Sequence, residues 1–531
     1  MRGSRLIGAL AAFAVTLPLV PALGLVAGAL RPAPGLFPGQ GDAGWAALLR
    51  GPDGAPGPLA VSLALALLVS AAALPLGAAL AWAEQRLVLP GGRWLGVATL
   101  LPLALPSYVL AGTLRHALGP GGWLGGPLGL PTPAGLGPAV LALTLATAPY
   151  VQLLVGASLA RCPADEEEAA RSLGAGRLAA FRVATLPRLR PALAASLLLV
   201  QLYTVSDFGA VAVLDCRALT WRLYQAVATA RLDVAWTLGA GVMALTAPLL
   251  VAARALHGRP PPPGVTNPRP VAPVRPGPAL RAAAVGLQLG VVTLGVVVPL
   301  ATLCVWVAEG AARGLPFAGL AEPLGHSIGV ALAGAASTTL LAVCPAWVAV
   351  RAGRWTSWAT EQAVYLTGAL PGILLAFGLL LAALHGAEAA AGPRAYHALL
   401  GSGALLLVGY ATRFLAEAFA SLRAGAALVD PRLEESARVL GAGPWRRASR
   451  VVAPQLAPAG AAAFALTAVA IVKELPVSLL LGGPAGLRPL SFRMVDRYQE
   501  ALLHDAGAAG LLIAGLGFAA FALTLRWRLH V

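Results

Sequence analysis

Long apolar segments alternate with short polar ones along almost the whole chain. A membrane-spanning helix needs about 20 apolar residues to cross a hydrocarbon core of roughly 30 Å, and the sequence offers such runs repeatedly. The predicted spans cover approximately residues 6–30, 59–84, 94–117, 137–160, 191–214, 233–256, 282–307, 326–350, 359–384, 397–422, 459–482 and 506–526. The pattern therefore predicts an all-α integral membrane protein with twelve transmembrane helices.

Composition supports a membrane protein and excludes other classes. Hydrophobic residues make up 58% of the 531 residues and charged residues only 11%, whereas a soluble domain is about 25% charged. The net charge of +16 does not indicate nucleic-acid binding, because the basic residues are scattered between apolar runs. The predicted surroundings are membrane lipid, with no nucleic-acid partner. The first run follows Arg2 and Arg5 like a signal peptide, but its length favours a retained span.

A proline-rich segment divides the chain. Residues 257–281 read HGRPPPPGVTNPRPVAPVRPGPALR, and prolines at this density favour an extended, semi-rigid linker. It separates a first six-span half, residues 1–256, from a second, residues 282–531. Most arginines fall in loops that are cytoplasmic if the N-terminus is inside, which predicts that both termini and the linker are cytoplasmic.

The two halves form a repeat. Arg86 matches Arg351 at an offset of 265 residues, and Leu105-Pro106 matches Leu370-Pro371 at the same offset. Further matches follow at an offset of 267, and they pair Glu168 with Glu435, Ala170 with Ala437, Gly174 with Gly441, Pro187 with Pro454 and Asp207 with Glu474. Because each half has an even number of spans, the two six-helix repeats are predicted to be parallel.

The most informative segment is the polar loop after the fourth span of each half. The loops read PADEEEAARSLGAGRLAAFRVATLP (163–187) and PRLEESARVLGAGPWRRASRVVAP (431–454). We predict a short helix capped by Asp165 in the first loop and by Asp430 in the second. A Gly-Ala-Gly reversal follows, and then a second, basic helix that ends at the proline. One such loop could be an interfacial helix on anionic lipid, but two matched copies favour a shared docking function.

These loops resemble the EAA motif of the permeases of binding-protein-dependent ABC importers. The residues that carry the resemblance are Glu168, Ala169, Ala170, Gly174, Leu186 and Pro187 in the first copy, and Glu435, Ser436, Ala437, Gly441 and Pro454 in the second. Ser436 departs from the usual middle alanine, Ala184 from an isoleucine and Ala453 from a leucine. The resemblance implies a type I ABC importer permease fold in a bacterial inner membrane, with both loops docking on ATPase subunits.

The resemblance also implies the partners and the cargo. No GxxxxGK[ST] phosphate loop occurs in the sequence, so the chain is expected to be a transport subunit without its own ATPase site or cofactor. Two separate ATP-binding cassette subunits and an extracytoplasmic substrate-binding protein are implied. SDFGAVAVL (206–214) and KELPVSLLL (473–481) are similar to segments of fused ferric-iron permeases. Thiamine and aminoethylphosphonate permeases share the architecture and stay open as alternatives.

Two carboxylates fall inside predicted spans. Asp207 and Glu474 occupy matched positions, where a charge is costly unless it faces a cavity or a partner. One interpretation places both on the translocation path of a cationic substrate. The other holds that they bond backbone groups or arginine, and two carboxylates are too few to hold a metal. No histidine or cysteine spacing typical of a metal site occurs in the sequence.

Two rival functions have weaker support. A secondary transporter driven by an ion gradient could also have two parallel six-span repeats, but the paired EAA-like loops argue against it. A membrane enzyme is suggested only by GHSIG (325–329), which matches GxSxG around Ser327. No strand pattern precedes this serine, whereas a nucleophile elbow requires one.

Overall fold

The computed structural model describes Thr16, Leu49, Arg50 and residues 57–256, 271–315, 319–368, 370–391 and 393–529. Within these ranges the chain is helical and forms no named strand, which agrees with the predicted all-α class. The predicted first span, 6–30, and the greater part of the proline-rich linker lie outside the described residues. The contacts divide the chain into two compact units, which are described separately below.

The N-terminal unit comprises residues 43–225 and 237–309. Its helices are α1 (Pro58–Arg86), α2 (Gly92–Ala98), α3 (Ser107–Leu118), α4 (Leu136–Leu159), α5 (Ala164–Ser172), α6 (Arg177–Ala180), α7 (Leu186–Ser206), α8 (Gly209–Val213), α9 (Leu219–Ala228), α10 (Leu232–Leu256), α11 (Pro278–Val292) and α12 (Val298–Ala312). Helices α9, α10 and α12 extend beyond the unit at one end.

A three-helix core organises this unit. Helices α1, α4 and α7 pack on one another, and α1 approaches α4 so closely that a Cβ added at Gly77 would lie 2.5 Å from the Ala148 carbonyl oxygen. Close packing of this kind is typical of small residues at helix interfaces in membranes. Helix α12 belongs to the same unit, since Trp306 packs edge-on against His116 with ring centroids 5.2 Å apart.

Of the described residues, the C-terminal unit comprises Thr16, residues 226–236 and those after 309. Its helices are α13 (Ala321–Arg351), α14 (Arg354–Gly368), α15 (Gly372–Ala391), α16 (Pro393–Gly401), α17 (Ala404–Arg413), α18 (Leu415–Leu428), α19 (Pro431–Val439), α20 (Pro444–Arg447), α21 (Ala453–Lys473), α22 (Leu490–Gln499) and α23 (Leu503–Leu529). Helices α13, α18 and α21 pack on one another around buried Ala346, Phe419 and Ala463.

The predicted count of twelve spans is not confirmed. Seven helical stretches of the described residues are long and apolar enough to cross a membrane, and the number rises to nine if two bent pairs each count as one span. Predicted spans 94–117 and 397–422 correspond to the bent pairs. Predicted spans 233–256 and 359–384 correspond only to shorter apolar helices, Val234–Leu249 and Gly372–Ala383.

Proline and local backbone geometry explain where the spans break. The helical path bends by 99° between Ala104 and Ser107, because proline at 106 has no N–H group and disfavours a helical conformation in the residue before it. The matching Leu370-Pro371 separates α14 from α15. A 55° bend at Phe414 divides α17 from α18. Because mean hydropathy is averaged over such breaks, the sequence pattern predicts each bent helix pair as one continuous span.

The compact units do not follow the predicted sequence halves residue by residue. Residues 282–309, which belong to the predicted second half, pack in the N-terminal unit. Part of the linker also packs there, since Val274 forms a parallel backbone bridge with Leu87. The halves 1–256 and 282–531 with their linker 257–281 stay a prediction about the repeat.

Candidate functional site

The two predicted loop helices are present, and their first turns differ. In the second loop Asp430 is the cap of α19, and its side chain accepts the Arg432 N–H at 2.9 Å, with proline at the first helical position. In the first loop the cap position is Pro163. Asp165 is therefore the second residue of α5 and is not the cap. Its charge there still suits the positive end of the helix dipole.

Both helices end in the same glycine turn. The Gly174 N–H donates to the Arg171 carbonyl at 3.0 Å, and the Ala175 N–H to the Ala170 carbonyl at 3.1 Å. Gly441 and Ala442 make the corresponding bonds at 3.0 and 2.9 Å. This pair of bonds is a Schellman motif, which requires a left-handed residue. The φ angles of +90° at Gly174 and +78° at Gly441 meet that requirement.

The second helix of each loop does not stop at the proline. It runs on into a long span, Leu178–Ser206 in the first half and Pro444–Lys473 in the second, so the predicted ends at Pro187 and Pro454 are wrong. A wider π-helical turn, Phe181–Thr185 or Ala448–Val452, precedes each proline region. Such a turn accommodates the missing N–H group and the ring of the proline within a continuous helix.

The motif residues lie on the open side of the loops. Glu168, Ala169, Gly174 and Pro187 are exposed, as are Glu435, Ser436, Gly441 and Pro454, while Ala170, Ala437 and Leu186 are half-buried. Apolar side chains beside the turns are also exposed: Leu173 is 90% accessible and Leu440 85% accessible. An exposed apolar patch with charged neighbours is typical of a protein interaction surface.

An ion pair that the sequence did not predict ties each loop helix to the end of a long span. Nη2 of Arg86 lies 3.0 Å from Oε1 of Glu167, and Nη2 of Arg351 lies 3.8 Å from Oε1 of Glu434. Both arginines are the last residues of their helices, α1 and α13. The matching arginines were visible in the repeat, but nothing in the sequence pointed to their partners.

Asp207 lies where α7 ends, and its carboxylate accepts polar hydrogens. The Ser107 hydroxyl donates to Oδ2 at 2.5 Å, and the Ala210 N–H donates to Oδ1 at 2.8 Å. The Thr220 hydroxyl donates to the Asp207 carbonyl at 2.7 Å. The side chain thus bridges the start of α3 and the start of α8, and a buried carboxylate needs such donors.

Glu474 repeats this arrangement in the C-terminal unit. Its Oε2 accepts the Val477 N–H at 2.9 Å and the Ser478 N–H at 3.4 Å, and its carbonyl accepts the Ser491 hydroxyl at 2.9 Å. Arg413 lies near this carboxylate, since an ideal Cβ at Gly372 would be 2.8 Å from Oε1 of Glu474 and 3.6 Å from Nε of Arg413. The Arg413 guanidinium also donates to the Gly368 carbonyl at 2.8 Å. These bonds agree with the interpretation in which the carboxylates hold backbone groups.

The Ser327 hydroxyl takes part in a helix–helix contact and does not lie in a nucleophile elbow. It is buried inside α13, and its hydroxyl oxygen accepts the Leu490 N–H at 2.7 Å. No named strand leads to it within the described residues. The GHSIG match therefore gives no support to an enzyme. Within the described residues, no three or more His, Cys, Asp or Glu side chains lie close enough together to hold a metal ion.

Comparison with known proteins supports the assignment as a transport permease. A family model for the binding-protein-dependent transport system inner membrane component matches residues 340–528. The Fe(3+)-transport system permease protein FbpB 2 of Haemophilus influenzae is 26% identical over 462 residues, which are 86% of this chain and 87% of the relative.

Two further relatives carry different cargo names. The molybdenum transport system permease protein ModB of Escherichia coli is 31% identical over 154 residues, which are 28% of this chain and 67% of the relative. The sulfate transport system permease protein CysT of Salmonella typhimurium is 37% identical over 139 residues, which are 25% of this chain and 50% of the relative. With its apolar helices and its paired EAA-like loops, the chain belongs to the family of binding-protein-dependent transport system inner membrane components.

Proposed function

We propose that this chain is the complete membrane pathway of an ATP-driven ferric-iron importer. The observation that carries the proposal is the pair of loop helices, α5 and α19, each closed by a Schellman turn at a left-handed glycine and each exposing its motif residues. Two equivalent docking elements in one chain suit two ATP-binding cassette subunits. A separate binding protein delivers the cargo on the opposite side of the bacterial inner membrane.

The transport cycle follows from this arrangement. ATP binding closes the ATPase subunits on each other, draws the two loop helices together and opens the path outward. Hydrolysis and release of the products return the path to the inward-open state. This is alternating access by rigid-body motion of helix groups. We propose the orientation that the arginines predict, with both termini in the cytoplasm, which puts the loop helices on the side where ATP is available.

Iron is favoured by the extent of the similarity. The ferric-iron permease aligns over both halves of this chain, whereas the molybdenum and sulfate permeases align over about a quarter of it. We further propose that Asp207 and Glu474 flank the path and set its shape. Their carboxylate oxygens accept backbone or hydroxyl hydrogens, so they do not strip a metal from its ligands.

Reconstitution tests the function and the cargo together. The chain is purified with its ATPase subunits and reconstituted in liposomes. ATP is enclosed on the side that the loop helices face, and binding protein loaded with ferric iron is added on the opposite side. Uptake of ⁵⁵Fe(III) that requires ATP and is blocked by vanadate is the expected result. Uptake of radiolabelled molybdate or sulfate in place of iron would refute the cargo, and uptake driven by an ion gradient without any ATPase would refute the importer class.

A further inference from the structure

Two ion pairs, one in each unit, join a loop helix to the end of a long span, and the proposed function assigns them no role. Each pair links the last residue of a span, Arg86 of α1 or Arg351 of α13, to the residue just before the motif glutamate. The arginines match at an offset of 265 and the glutamates at 267. The same connection therefore occurs twice in a chain whose halves have diverged at most positions.

The N-terminal pair is well enclosed. The side chains of Arg86 and Glu167 are 8% and 18% exposed, and the Thr185 hydroxyl also donates to the Glu167 carboxylate. The backbone of Arg86 is held as well, because its carbonyl accepts the Val274 N–H at 2.8 Å. Breaking such a pair leaves an enclosed charge without its partner, which is costly.

The C-terminal pair is more open and has a different support. The side chains of Arg351 and Glu434 are 23% and 28% exposed. Nη2 of Arg351 donates to the Val429 carbonyl at 2.6 Å, just before the capping residue of α19. The same guanidinium lies over the Trp347 ring at 4.9 Å from its centroid, an arrangement that favours a fixed cation. Arg351 thus contacts both the residue that precedes the cap of α19 and a glutamate in the first turn of that helix.

An exposed pair on the same loop helix provides the contrast. Nε of Arg188 donates to the Glu166 carboxylate at 2.7 Å, but these side chains are 50% and 42% exposed. It connects α5 to α7, the helix that already follows it in the chain. Exposed pairs contribute little to stability. The Arg86 pair differs because it is enclosed and links α5 to a helix distant in sequence.

We propose that Arg86 and Arg351 are positioning residues that fasten α5 to α1 and α19 to α13, so that each loop helix and its span move as one body. The inference rests on the proposed function, in which ATPase subunits displace the loop helices. Without the fastening, a displaced loop helix would pivot on its glycine turn and on the short connection before it. The span would then receive only part of the displacement.

Distances between spin labels test this fastening directly. The four cysteines are first replaced by alanine, and labels are placed at two exposed positions of the N-terminal unit, Asp165→Cys in the first turn of α5 and Leu67→Cys on α1. Pulsed electron paramagnetic resonance then measures the distance in the complete transporter, without nucleotide and with ATP and vanadate. We expect one narrow distribution that is the same in both states, and a broadened one after Arg86→Gln.

Matched variants decide what the result means. Arg188→Gln removes the exposed pair and is expected to leave the distribution narrow, while exchange of the charges in Arg86→Glu with Glu167→Arg is expected to narrow it again. A second label pair, Arg432→Cys on α19 and Leu340→Cys on α13, repeats the test with Glu434→Gln. This pair decides the question if Arg86→Gln does not give a monodisperse protein.

Two outcomes overturn the inference, and a different one overturns the function. A distance that shifts between nucleotide states in the unaltered pair, or distributions that stay narrow in both Arg86→Gln and Glu434→Gln, would show that the loop helices are not fastened. A transporter that retains no ATPase subunit would contradict the proposed function. The distributions without nucleotide would still judge the fastening.

Discussion

Replacement of the turn glycines isolates the backbone contribution to the coupling loops. Gly174 and Gly441 have φ angles of +90° and +78°, and a Cβ added at either position would meet nothing within 4 Å. The added Cβ itself therefore meets no steric clash. What remains is the cost of holding an L-residue in the left-handed region, about 1–2 kcal/mol. A cost of this size changes the ratio of closed to open turn by a factor of about 5–30.

Trypsin reports the open turn without any knowledge of the cargo. Arg171 and Arg438 accept the turn hydrogen bonds through their carbonyls, so cleavage after them requires the turn to open. Where opening and closing are fast, the cleavage rate follows the open population. We expect Gly174→Val to accelerate cleavage after Arg171 by about 5–30-fold, and Gly441→Val to do the same after Arg438. Transport per ATP hydrolysed should fall in both.

The control and the substitution series make the reasoning refutable. Gly176 lies two residues further on and has open space for a Cβ without a left-handed φ, so Gly176→Val should leave cleavage and transport unchanged. Gly174→Asn should be milder than Gly174→Val, because asparagine tolerates the left-handed region better. Equal damage from valine at 174 and 176, or from asparagine and valine at 174, would refute the backbone explanation.

Three further predictions concern packing, charge and topology. Gly77→Leu should lower the melting temperature in detergent, because overpacking the α1–α4 contact costs about 1–3 kcal/mol, while Gly286→Leu, which faces open space, should not; equal effects would contradict the packing. Asp505→Asn should also lower the melting temperature, since this largely buried carboxylate bonds two arginines of α22; an unchanged melting temperature would contradict it. Gly264→Cys should be labelled only from the cytoplasm and Gln40→Cys only from outside, and the reverse pattern would overturn the arginine argument.

Local sequence signals were sufficient to predict the start of α19 and the glycine turns of both loops. The Asp430-Pro431 start of α19 and the glycine reversals depend on neighbouring residues alone, and the structure has both. The end of the basic helix was misplaced because proline was treated as a stop. A π-helical turn before Pro187 and Pro454 lets the helix continue, and hydropathy contains no signal for that.

Contacts between distant segments were beyond the sequence. Arg86 meets Glu167 across 81 positions, and the first loop has three consecutive glutamates, so no spacing rule selects the partner. The count of twelve spans is left unconfirmed for a related reason. Whether a Leu-Pro step ends a helix or only bends it depends on the helices that pack around it. Average hydropathy contains no information about that packing.

The matched carboxylates of Asp207 and Glu474 show a compensated difference between the two sequence repeats. Ser107 faces Asp207, whereas Gly372, at the matching position, faces the longer Glu474. A Cβ at Gly372 would lie 2.8 Å from Oε1 of Glu474, so the missing side chain makes room for the extra methylene group. Gly372→Ser alone should therefore destabilise the C-terminal unit by about 1–3 kcal/mol through overpacking.

The double change tests that compensation. Gly372→Ser with Glu474→Asp recreates the Ser107–Asp207 arrangement and should recover most of the thermal stability, because a shortened carboxylate withdraws from the new Cβ and gains a hydroxyl donor. Glu474→Asp alone should also destabilise, since it leaves a gap between the shortened carboxylate, Gly372 and Arg413. A non-additive recovery in the melting temperatures of this double-mutant cycle is the expected result. If the two losses simply add, the pairs are not equivalent, and the repeats match here in sequence position only.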